Sequence, residues 1–135
     1  MAKRPRAQQP DYRLLVAPHT NDRTYRPTTL VVLETAQSFA AFRYELSVEE
    51  KIEGKALTYR VLGLRAPGLN LPAAGHAAFT REYEGLKGIY TVSIVGLDGS
   101  TSQCTVRIAP KKVEVVKPPT GHSLLIITDK VHWKD

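Results

Sequence analysis

Along most of this chain apolar and polar residues alternate, the signature of strands with one buried and one wet face. In the segment 42–49, Phe42, Tyr44, Leu46 and Val48 stand between Arg43, Glu45, Ser47 and Glu49. Leu57, Tyr59 and Val61 repeat the alternation, and the acidic, glycine-bearing link EEKIEGK between the two runs predicts an antiparallel hairpin. The run TTLVVLET has no polar face and suits a strand covered on both sides. Shorter strands are expected at DYRLLVAP, ended by Pro18, at KKVEVVKPP, ended by prolines, and at HSLLIITDKVHWKD, which closes on a polar tail. HTNDRTYRP reads as a turn-rich loop, and Gly68, Pro72 and Gly75 punctuate a flexible connection. The segment 75–86 fits two periods: Phe79, Tyr83 and Leu86 at helical spacing, or Phe79, Arg81 and Tyr83 on one side of a strand. The strand is the preferred reading. Seven to nine short strands with turn signals about every ten residues predict a β-sandwich or barrel.

The clearest hairpin is GIYTVSIVGLDGSTSQCTVRI, residues 88–108. Asp98-Gly99 suits a two-residue type I′ turn, but that register sets Tyr90, Val92 and Ile94 opposite Arg107, Thr105 and Gln103 and mixes every row of the buried face. A three-residue loop of Leu97, Asp98 and Gly99 instead pairs Tyr90 with Val106, Val92 with Cys104 and Ile94 with Ser102. Burial of one face specifies register, so the bulged loop is expected, with Gly99 left-handed.

This hairpin resembles the last hairpin of immunoglobulin-like sandwiches, including polycystic-kidney-disease-type domains, in which a glycine and a tyrosine open the penultimate strand. The resemblance implies that Tyr90 is a tyrosine-corner residue, its hydroxyl bonded to backbone upstream. Leu86 replaces the aspartate usual four residues before that tyrosine, Val92 stands where the second immunoglobulin cysteine falls, and the only tryptophan, Trp133, is near the end. The expected fold is all-β, an antiparallel immunoglobulin-like β-sandwich over residues 12–128, with an extended basic N-terminal arm, 1–11, and a polar tail, 129–135. Such a fold hosts many functions and names none.

Charge changes the picture more than composition does. The net charge of +6 resolves into +4 over residues 1–27, zero over 28–108 and +2 over 109–135. A chain of 135 residues can bury roughly two-thirds of its unfolded surface without staples, and a single cysteine excludes an internal disulfide. The opening MAKRPRAQQP has the positive flank of a secretion signal without its apolar run, so a cytoplasmic protein is expected. Purely aliphatic runs such as LLII reach only four residues, far short of a membrane span.

Candidate chemistry is sparse. Cys104 falls on the inner face as a buried thiol. His19, His76, His122 and His132 sit in loops or ends without metal-ligand spacing. The glycine turns precede no helix that could cradle phosphate, and the acid pairs Glu49/Glu50 and Glu82/Glu84 read as solvent-facing charges. No catalytic residue, metal site or cofactor is expected. The candidate partner-binding residues are Lys3, Arg4 and Arg6, for electrostatic attachment, with Val131 and Trp133 as an apolar anchor in a charged tail. VEVV and LLII are the expected edge strands, flanked by prolines and lysines that limit uncontrolled pairing. The function expected is a non-catalytic protein-interaction module, an accessory or structural subunit of a larger assembly. The alternative is a ribosome- or RNA-associated protein held by its basic arm, with Arg23, Arg26, Lys111, Lys112 and Lys117 contributing if the two ends meet. The same arm could touch an anionic membrane surface peripherally. The sequence names neither the partner nor the oligomeric state.

Overall fold

The computed structural model describes residues 12–39, 45–65, 75–119, 124–130 and 133. Among them are nine strands and no α-helix: β1 (Tyr12–Thr20), β2 (Pro27–Phe39), β3 (Glu45–Glu53), β4 (Ala56–Arg65), β5 (Gly75–Tyr83), β6 (Gly88–Val95), β7 (Thr101–Ala109), β8 (Lys112–Lys117) and β9 (Leu124–Ile127). Hydrogen bonding runs through them in the order β8-β7-β6-β4-β3-β5-β2-β1-β9. The link between β3 and β5 is one residue pair, Glu45 with Ala78. The sheet therefore divides into a five-stranded half and a four-stranded half. Leu14, Val16, Val31, Leu33 and Phe79 of one half form a single core cluster with Leu57, Tyr59, Val92, Ile94, Cys104 and Val106 of the other.

Both halves are mixed, where antiparallel sheets were expected. β1 runs parallel to β9 and β4 parallel to β6. The chain order gives the reason: after β4 it crosses to the other half to make β5 before returning as β6, and a strand that returns by a crossover can enter in the same direction. Pro18 does not end β1. It pairs opposite Thr29, while β9 pairs with β1 only as far as Leu15. One side of β1 is thus an edge at Pro18, where a missing N–H is tolerated.

The hairpins follow the buried-face pattern. β6 and β7 pair Tyr90 with Val106, Val92 with Cys104 and Ile94 with Ser102, all buried. Gly99 has φ +85° and its N–H donates to Gly96 O at 3.0 Å, closing the three-residue loop. Lys87 N–H donates to Tyr90 Oη at 3.3 Å, a backbone contact upstream of that tyrosine. β3 and β4 meet through Gly54-Lys55, with Glu53 opposite Ala56 and Gly54 at φ +57°, the glycine-first arrangement of a type II′ turn. The segment 75–83 is a strand. From Thr28 to Thr35, β2 has no exposed residue, as its unbroken apolar run requires. Leu14 to Ala17 of β1 are likewise buried on both faces.

Candidate interaction surface

Of the residues singled out in the sequence, Lys3, Arg4, Arg6 and Val131 lie outside the described residues, as does the rest of the basic arm. Trp133 is half-buried, and its N–H donates to Lys130 O at 3.3 Å. The Arg13 guanidinium sits 4.6 Å from its ring centroid, and Arg13 also bonds Glu34, its cross-strand neighbour on β2. The cation–π contact holds the tail aromatic against the outer face of β1, leaving part of the ring to solvent.

The sequence did not single out Tyr25. It is 80% exposed and has φ +59°, a left-handed conformation that an aromatic residue adopts at an energetic cost. Asn21 imposes it. The Asn21 side-chain oxygen accepts the N–H groups of Arg23 and Thr24, both at 2.9 Å. Its backbone closes the loop onto Tyr25 N (2.9 Å) and Arg26 O (3.0 Å). An aromatic ring between two arginines is thereby presented from a loop fixed by its own hydrogen bonds. The readable signal was the Asn-Asp pair heading the turn, with the tyrosine inside it.

Next to this loop a polar chain ties four segments together. Thr28 Oγ1 donates to Glu82 Oε2 at 2.6 Å, and Asn21 Nδ2 donates to Oε1 at 3.1 Å. His19 Nε2 lies 3.9 Å from Oε2. Lys130 Nζ is 2.8 Å from His19 Nδ1. An ammonium can only donate, so in this contact Nδ1 is the acceptor. The Thr28 hydrogen bond, helped by Asn21 and His19, holds the Glu82 carboxyl below its ordinary range despite some desolvation. A polar cleft of about 420 Å³ opens between Thr20, Asp22, Lys111 and Lys130. An apolar pocket of about 170 Å³ lies between Pro27, Leu86 and Pro110. The β1–β2 loop, with Arg23 and Arg26, thus shares one end of the molecule with Lys111. Lys112 instead pairs with Glu114 at 3.2 Å, and Lys117 lies at the far end of β8.

Glu50 departs from the expectation of a solvent-facing charge. It is paired with Tyr59 across β3 and β4, which puts it on the face toward the core. Its carboxylate accepts from Tyr83 Oη and, at 3.0 Å, from Arg81 Nε. Tyr59 and Tyr83 hydroxyls are 2.8 Å apart. With the Tyr83 proton given to Glu50, Tyr59 must donate to Tyr83. Burial pushes the Tyr59 hydroxyl up to about 12. Burial and then the Glu50 contact push Tyr83 upward as well. Arg81 also covers the Phe79 ring at 4.6 Å. This cluster bridges β3 and β4 to β5, where the backbone supplies one pair.

The two strands expected at edges, β8 and β9, end the sheet, and Val115, Val116 and Leu125 are exposed there. Cys104 is buried, and desolvation pushes its thiol up to about 11. Among the described residues no three His, Cys, Asp or Glu side chains gather to hold a metal, and no helix is long and apolar enough to cross a membrane. Comparison of the chain with protein-family models, with curated proteins and with solved structures gives no match.

Proposed function

We propose that this protein is a non-catalytic protein-interaction module, an accessory or structural subunit of a larger cytoplasmic assembly. The observation that carries the reading is Tyr25, an exposed aromatic in a strained conformation between Arg23 and Arg26. Tyrosine and arginine dominate the energetics of protein interfaces, and a loop already ordered loses less entropy on binding. Lys3, Arg4 and Arg6 would add electrostatic attachment, and Val131 with the exposed part of Trp133 an apolar contact beside it. The finer architecture is that of an immunoglobulin-like sandwich. Its support is the β6–β7 register and the Tyr90 hydroxyl contact; the parallel β4–β6 pairing sets this sheet apart from an all-antiparallel arrangement.

A second reading, ribosome or RNA association through the basic arm, gains from the position of Arg23, Arg26 and Lys111 at one end; peripheral contact with anionic lipid would use the same charges. A pull-down of the tagged protein from its own cells separates these readings. One half is treated with nuclease and both are washed across about 50 to 200 mM salt, where phosphate binding weakens steeply. A defined set of proteins that survives both treatments is expected. Recovery of RNA or ribosomal proteins that nuclease removes would replace the module reading with the second.

A further inference from the structure

Two depressions of opposite character share the wall made by Pro110 at the loop end. On one side the apolar pocket is bounded by Pro27, Leu86 and Pro110, with Lys87 at its rim. On the other the polar cleft is bordered by His19, Lys111 and Lys130, and Asp22 is the one carboxylate that lines it. The ion pairs among the described residues engage Lys51 and Lys112 but neither Lys87 nor Lys111. Lys130 Nζ shares one hydrogen bond with His19 Nδ1 at 2.8 Å, which fixes its position and leaves two N–H donors for a ligand. The Glu82 carboxylate, 3.9 Å from His19, is engaged by Thr28 and Asn21. Pro18, Pro27 and Pro110 make the walls stiff before anything binds.

We infer that this end of the protein captures an acidic peptide segment of a partner, seating one apolar side chain between Pro27, Leu86 and Pro110 and carboxylates on Lys111, Lys130 and Lys87. The inference rests on the interaction-module reading and specifies its partner. A peptide fits the two depressions better than single-stranded nucleic acid because no Phe, Tyr or Trp lines either, so a base seated in them would have no ring to stack on; the exposed Tyr25 stands on the neighbouring loop, outside both linings. Apolar and acidic groups on neighbouring residues of one chain are spaced to straddle a single proline ring.

The test is a titration of the full-length, ¹⁵N-labelled protein with acetyl-Asp-Asp-Leu-Asp-amide, followed by NMR. Saturable shifts are expected at Leu86, Lys87, Lys111 and Lys130. Replacing the peptide's aspartates by asparagine should weaken binding roughly tenfold or more through lost charge-assisted hydrogen bonds. Replacing its leucine by alanine should cost a similar factor through lost apolar burial. The double variant Lys111→Glu/Lys130→Glu should keep a native spectrum and lose the shifts. Absence of shifts, equal binding of the asparagine peptide, undiminished binding by the double variant, or tighter binding of oligouridylate at the same residues would overturn the inference. A pull-down alongside separates its failure from that of the parent reading. If the peptide does not bind but nuclease-resistant proteins are still retained, only the inference falls. If no protein is retained, the module reading falls with it.

Discussion

Replacing Tyr59 by phenylalanine removes one oxygen from the core and reads out the Tyr59–Tyr83–Glu50 relay directly. Near pH 8 the loss leaves the Tyr83 oxygen without its donor, a cost of about 1 kcal/mol. At higher pH the sign reverses. The Tyr59 hydroxyl titrates near 10 in the unfolded chain but at about 12 in the fold, chiefly because it is buried. A raised folded value means that the unfolded chain releases its proton first. The stability linked to this proton is complete below pH 10 and is lost as pH rises toward 12. Two units correspond to about 3 kcal/mol, so parent and variant should become equally stable near pH 11 by the same linkage, roughly where the loss reaches 1 kcal/mol. Above that the variant should be the more stable. Urea unfolding followed by far-ultraviolet circular dichroism at pH 8, 9.5, 10.5 and 11.5 measures the difference, and Tyr83, present in both proteins, cancels to first order. A parent advantage that stays constant from pH 8 to 11.5 would refute the buried, proton-donating role of Tyr59.

Other outcomes follow from single residues. Gly99→Ala meets no atom within 4 Å, so only its φ of +85° opposes it; a loss of about 1 kcal/mol is expected, and a parent-like urea midpoint would contradict the bulged loop. Cys104, with its thiol raised to about 11 by burial, should resist iodoacetamide at pH 8 in the native protein and react in urea, as mass spectrometry would report; rapid native modification would contradict its placement. Trp133→Ala should lower stability by roughly 0.5–1 kcal/mol through the lost Arg13 contact. An unchanged urea midpoint would mean that Trp133 does not rest on β1 in solution.

The register of the β6–β7 hairpin was readable because one face must be buried, and a slip by one residue would have set Val92 against Thr105. The covered strand β2 was readable for a related reason: a run without a polar face has no side to give to water. Strand direction was not, since alternation is the same read either way, and the parallel β4–β6 and β1–β9 pairings depend on where the chain crosses between the two halves. Glu50 was misread because a carboxylate in a strand ordinarily marks the wet face. The groups that let it turn inward, Arg81 and Tyr83, lie 31 and 33 residues further along. At the loop end, Asn21 announced a turn but not the left-handed Tyr25 within it. Likewise Lys111 precedes β8 and Lys130 follows β9, strands at opposite ends of the sheet order, and only the fold brings them to one cleft.

The most direct test of the interaction-module account is the apparent mass of the untagged protein in a gentle lysate of the cells that make it, by size exclusion with antibody detection before and after nuclease. The account predicts elution well above the 15.0 kDa of the chain, unchanged by nuclease. Elution as a free 15.0 kDa species, or a collapse to that size once nucleic acid is digested, would contradict it.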